Sequence, residues 1–256
     1  MRPRHTEQNE GRPLAAISTG KNEPNLTHWI ERLRDAEPAK RLHAATVLGS
    51  LGAKARSAVP ALMDALTDVY PEVRRMAAAA LGEIGAEARM AIPALVQSLK
   101  DRDESVRRRC IIALGGMGAE ARMAAPGLVQ ALRDPSPLVR RWAAASLGEI
   151  GSTAPAAIPA LIEALGDEDI KNRAVAAAAL AKMGGRAVPR LVEALHHDDP
   201  RVRRHAASTL GKIAQPEDAL PAVRPLVDDS DEMVRDAAAE ALRRLLAGAE
   251  DDGSAS

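Results

Sequence analysis

Arginine and aspartate recur in this chain at fixed intervals, and their pairing is the first chemistry the residues offer. Arg41, Arg74, Arg107, Arg140, Arg173, Arg203 and Arg235 occur once in each of seven successive stretches. Six residues before them lie Asp35, Asp68, Asp101, Asp134, Asp167 and Asp229, with His197 standing in for aspartate ahead of Arg203. A guanidinium presents five donors in a planar fork, enough to bind its own aspartate and reach carbonyls or the neighbouring stretch. A carboxylate accompanies all but one of these arginines. They therefore read as a structural ladder, although a motif search would see a nucleic-acid stripe.

The residue after each ladder arginine behaves differently. It is arginine at Arg75, Arg108, Arg141 and Arg204, with Arg109 adding a further charge, and Leu42, Ala174 or Asp236 elsewhere. No aspartate tracks this second set at a fixed spacing. Trp142 follows Arg141, and His43 and His205 hold the same register. A tryptophan flanked by arginines is the composition of an interface hot spot. Arg75, Arg108, Arg109, Arg141, Trp142, Arg204 and His205 are thus the expected partner-binding residues. The alternative is a solvated arginine face on which Trp142 covers neighbouring alanines. Glu83 and Glu149 follow two turns later, replaced by Lys182 and Lys212 in later copies. Mixed sign suits a protein partner better than a phosphate backbone.

Other reactive side chains carry less. His196, His197, Asp198 and Asp199 are metal-ligand types, but adjacent turn residues rarely converge on one ion and no second cluster completes a site. Cys110 falls on an apolar helix face where other copies have alanine, and reads as a small core residue. The sequence offers no phosphate loop, nucleophile elbow or paired catalytic carboxylates. No catalytic residue, metal or cofactor is expected.

The elements that position these residues follow from a 33-residue period. VRRMAAAALGEIG begins at Val73, VRRRCIIALGGMG at Val106 and VRRWAAASLGEIG at Val139; between them run AVPALMDAL, AIPALVQSL and their relatives. Self-similarity at this period signals a stack of one supersecondary unit. Ile92, Leu95, Val96 and Leu99 make the apolar stripe of a first (A) helix; Val73, Ala77, Ala80, Leu81 and Ile84 make that of a second (B) helix. The ladder aspartate closes A and the ladder arginine opens B.

Punctuation agrees. Pro38, Pro71, Pro137 and Pro200 suit the first position of B helices, preceded by the cap candidates Glu37, Tyr70, Asp103, Ser136, Asp169, Asp199 and Asp231. Gly52, Gly85, Gly118, Gly151 and Gly184 suit left-handed residues past the B helices. Pro60, Pro93, Pro126, Pro159, Pro189 and Pro221 suit the first turn of A helices. Seven pairs result, near 26–51, 58–84, 91–117, 124–150, 157–183, 187–213 and 219–246. The array is expected over 25–247, between disordered tails at 1–24 and 248–256.

The D-x5-R spacing, VRxxAAxALGxIG and AIPALxxALxD together resemble the HEAT repeat family, in the short form found in phycobilisome lyase subunits. That resemblance implies an all-α, right-handed α-solenoid, an Asp–Arg ladder between adjacent repeats, and B helices lining a concave face. The residues themselves are read as those of a non-catalytic scaffold that grips a partner protein along the concave face. Two alternatives stay open: a subunit of a chromophore-attachment complex like the phycobilin lyases, and a duplex nucleic-acid binder. Composition weakens the last, with 35 basic against 35 acidic residues, no Phe, one Tyr and two Trp. The lone cysteine fits a reducing compartment, and no signal peptide or apolar span stands out, so a cytoplasmic location is expected.

Overall fold

The computed structural model describes residues 25–151 and 154–253, and among these the elements are helices and turns without a strand. The A layer comprises α1 (Leu26–Arg32), α3 (Val59–Ala65), α5 (Ile92–Ser98), α7 (Ala125–Ala131), α9 (Ile158–Glu163), α11 (Val188–Ala194) and α13 (Pro216–Val223). The B layer comprises α2 (Pro38–Ser50), α4 (Pro71–Ile84), α6 (Glu104–Gly116), α8 (Pro137–Ile150), α10 (Ile170–Met183), α12 (Pro200–Ile213) and α14 (Glu232–Gly253). The seven expected pairs are all present.

Local chemistry sets the ends. The side chains of Asp103, Ser136, Asp169, Asp199 and Asp231 accept hydrogen bonds from first-turn N–H groups of α6, α8, α10, α12 and α14. Glu37 and Tyr70 make no such bond. Each of the five punctuating glycines has positive φ, between 55° at Gly52 and 70° at Gly85. That region is open to glycine at no steric cost, so the chain turns there into a 3₁₀ segment that leads to the next A helix.

The apolar stripes meet between the layers. Leu48, Leu81, Leu114, Leu147 and Leu180 from B helices and Leu62, Leu95, Leu128, Leu161 and Leu191 from A helices are fully buried. Each such side chain contributes roughly 1.5–3 kcal/mol against exposure. Neighbouring B helices approach through glycine on alanine: a methyl on Gly49 or Gly82 would lie 3.1 or 3.0 Å from the Cα of Ala80 or Ala113. Neighbouring A helices meet less closely.

Three expectations change. The last helix continues to Gly253, past the expected boundary at 247, because Gly248 costs a helix only about 1 kcal/mol and no proline follows. Residues 1–24 and 254–256 lie outside the described residues. Pro221 sits inside α13 and not in its first turn, because Pro216 begins that helix five residues earlier. Copies two to six enter the A helix through a 3₁₀ segment, whereas the seventh begins with α13 and follows it with 3₁₀ over Arg224–Asp228. No helix among the described residues is long and apolar enough to cross a membrane.

Candidate functional site

The ladder arginines reach forward, not back. Arg74 donates from Nε and Nη2 to the two carboxylate oxygens of Asp101 at 2.7 and 2.8 Å, 27 residues on in the next repeat. Its Nη1 donates to the carbonyls of Asp68 and Val69. Arg41, Arg107, Arg140 and Arg203 make the same set with Asp68, Asp134, Asp167 and Asp229. The arginine thus binds the backbone of its own aspartate and the side chain of the following one, as the family resemblance implied. Binding to the carboxylate six residues before it, the other expectation, does not occur. Each of these aspartates also accepts the N–H two residues on, as Asp101 does from Asp103 at 2.8 Å. One rung therefore ties an A-helix end, a turn and two repeats.

Burial by itself would raise the carboxyls of Asp68, Asp101 and Asp167. The forks of Arg41, Arg74 and Arg140, helped by the backbone N–H groups of Tyr70, Asp103 and Asp169, outweigh it and hold all three below the usual carboxylate range. At Asp229 the bonds from Arg203 lead. Tyr70, which caps nothing, lies with its ring 5.7 Å from the Arg41 guanidinium.

The ladder breaks once. Arg173 bonds the carbonyls of Asp167 and Glu168, but the position facing its fork belongs to His197 and not to a carboxylate. Its Nε is buried without a hydrogen-bond partner among the described residues. Leaving such a donor unmet costs about 1–3 kcal/mol. The imidazole Nδ1 accepts the N–H of Asp199 at 3.0 Å, so histidine keeps the aspartate's turn bond and loses its charge. At the ends, Asp35 accepts from Arg32 and from the N–H of Glu37, while Arg235, among the described residues, holds the carbonyls of Asp229 and Ser230.

The second arginines divide. Arg75, Arg108, Arg109 and Arg204 are half-buried on B helices and make no side-chain hydrogen bond or ion pair among the described residues. Arg141 departs from expectation: it donates to Asn172 Oδ1 at 2.9 Å and to Asp169 Oδ2 at 3.0 Å, across to α10. Asn172 is buried where five other copies have valine and the first has Lys40, and it also donates to the carbonyl of Pro137. Among the described residues, this copy alone adds a second arginine rung beside the ladder. Trp142, one residue on, is 41% exposed. Along the same face Lys182 pairs with Glu149 across repeats. Thr46, Met76, Glu83 and Arg109 help line an open hollow of about 390 Å³ between α2 and α4. The face therefore brings Arg109 beside an acid and a methionine, a grouping the sequence had not suggested.

His205 is half-buried, and burial, reinforced by Arg204, Arg173 and Lys212, pushes its imidazole down to about 4. Cys110 is buried and its thiol is pushed up to about 12, which keeps it protonated and unreactive. His43, in the Trp142 register, is met edge-on by Trp29 at 5.2 Å between ring centroids, so the first copy closes its own end with an aromatic pair.

Paired helices stacked in two layers and a ladder of arginine forks define an α-solenoid. The chain belongs to the HEAT repeat family, whose model matches residues 26–97, 92–180 and 158–243. No curated protein matches the sequence. Among solved structures, the complex of CpcE and CpcF of phycocyanin lyase from Nostoc sp. PCC7120 is similar at 23% identity. Its TM-score is 0.54, covering 96% of this chain and 100% of that one. A computationally designed armadillo repeat protein for modular peptide recognition aligns at 21% identity and TM-score 0.54, over 86% and 99%. Kap95p, in a complex with RanGDP, aligns at 15% and 0.64, over 86% of this chain and 34% of its own. At these identities the likeness is one of fold.

Proposed function

We propose that this chain is a non-catalytic scaffold that holds a protein partner along its B-helix face. The observation that carries this reading is the contrast between adjacent arginines. Arg74 and Arg107 spend their forks on the ladder, whereas Arg75, Arg108, Arg109 and Arg204 leave theirs unspent. Half-buried guanidinium groups on successive helices suit a helical or extended acidic protein segment, which could meet several forks at once. Trp142 supplies the apolar anchor, and neutral His205 a ring nitrogen for hydrogen bonding. Arg141, committed to Asn172 and Asp169, fixes the helix that carries Trp142 and offers a partner only its remaining donors. Glu83 and Glu149 on the same face favour protein over nucleic acid, and a cytoplasmic location is part of the proposal.

A photo-crosslinking residue at position 142 or at Gln97, exposed on α5, tests it in the intact cell. A protein captured from position 142 and not from 97 supports the reading; equal capture at both refutes it. The full-length alignment with the lyase complex favours a second reading, membership of a phycobilin-lyase-like chromophore attachment complex. Visible absorbance that co-purifies with the chain is its test.

A further inference from the structure

Two contacts recur at five of the six junctions between repeats, and one junction has neither. The first lock is the arginine fork on the next repeat's aspartate, present at every junction except that of Arg173. The second is the glycine of each B helix against a small residue of the next. A methyl on Gly49, Gly82, Gly115, Gly148 or Gly211 would lie 2.7–3.1 Å from the Cα of Ala80, Ala113, Ser146, Ala179 or Ala241. The corresponding residues at the remaining junction are Ala181 and Thr209. Three extra heavy atoms stand where the other helices touch, and α10 and α12 meet along far less of their length than any other neighbouring B helices.

The same junction keeps one tight point. Gly166 ends the turn after α9, where other copies have larger residues. A methyl there would lie 3.1 Å from Asp199 Oδ2 and from Val202 Cγ2 at the start of α12. Helices α9 and α11 also stay in contact on the A side. A junction pinned at one edge and spread at the other has the geometry of a pivot.

We propose that the seam between α10 and α12 is a hinge, on which repeats six and seven swing against repeats one to five. The pivot lies at Gly166 and Val202 and the mouth at Ala181 and Thr209. Opening it moves Arg204 and His205 relative to Trp142, so the hinge sets the spread of the B-helix face whether or not that face binds a partner. The missing carboxylate and the missing glycine fall at the same junction, whereas the other five junctions carry both locks.

Pulsed electron–electron resonance between spin labels on the full chain tests this, with buried Cys110 replaced by alanine as in other copies. Labels at Glu83 and Glu149 span two locked junctions; labels at Glu149 and Lys212 span one locked junction and the seam. The second distance distribution is expected to be broader. Restoring both locks with His197→Asp, Ala181→Gly and Thr209→Ala is expected to narrow it to match the first. Equal widths in the parent chain, or a folded triple variant that stays broad, would overturn the hinge. Should the triple variant not fold, hydrogen exchange of the parent decides. Faster exchange of α10 and α12 amides than of α4 and α6 supports the proposal, and equal protection overturns it.

Discussion

Arg140 gathers groups from two repeats: the carboxylate of Asp167, the carbonyls of Asp134 and Pro135, and the exposed carboxylate of Glu168. Arg140→Ala strands the first three and is expected to cost about 1–3 kcal/mol in urea unfolding. Arg75→Ala, which breaks no bond, is expected to stay within about 0.5 kcal/mol. A double-mutant cycle gives the sharper check. Arg140 is expected to couple with Asp167 and not with Asp134, whose carboxylate belongs to Arg107. Coupling to Asp134 instead would reverse the direction of the ladder. That direction was not legible in the sequence, because in a periodic chain the aspartate six residues back and the one in the next repeat are the same type at equivalent places. Arg141 was hidden for another reason: its partner Asn172 occurs in one copy only, and period-based reading discards what does not recur. A second residue-scale prediction concerns acid. His205 titrates at an ordinary 6.5 in the unfolded chain and at about 4 in the fold, so the unfolded chain binds the proton first. Stability is full above the higher value and falls as pH drops toward the lower. His205→Gln is expected to flatten the melting temperature across that window, and an unchanged slope would mean the ring is not desolvated.

Helix α6 carries two adjacent glycines with opposite duties. A methyl on Gly115 would lie 2.9 Å from Ser146 Cβ and 3.1 Å from its Cα, against a side chain already fixed by its bond to the Ile111 carbonyl. A methyl on Gly116 meets nothing within 4 Å. Overpacking is expected to make Gly115→Ala cost about 1–3 kcal/mol. Gly116→Ala removes chain entropy without strain and is expected to gain about 0.4–1 kcal/mol. Thermal melts of the two variants moving in the same direction would contradict the close helix approach. At this scale the sequence was largely sufficient. Apolar stripes, first-position prolines, capping aspartates and left-handed glycines are each local, and local chemistry decides where a helix starts and stops. The seventh pair escaped it because Pro216 and Pro221 both satisfy a first-turn rule, and only packing selects between them.

For the whole molecule, stability is a sum over repeats and their junctions, so no residue is central to the fold and the array forms without a single core. That frees one face of the B helices for other work. The repeat period made the solenoid legible, while the function was not, because a binding face is defined by what it leaves unsatisfied. Unspent donors such as Arg75, Arg108 and Arg109 stand apart from the ladder in sequence because no aspartate tracks them, but Arg141 shares their register, and its saturation appears only when its fork is traced to Asn172 and Asp169. The most direct test is the affinity of a partner captured at position 142, titrated against Trp142→Ala, a triple Arg75, Arg108 and Arg109→Ala variant, and the A-layer control Gln97→Ala, with melting curves recorded for each. The account predicts a loss of at least about 2 kcal/mol for the tryptophan, partial weakening for the arginines, and no change for the control. A control that weakens binding as much as Trp142→Ala, with all melting curves unchanged, would contradict it.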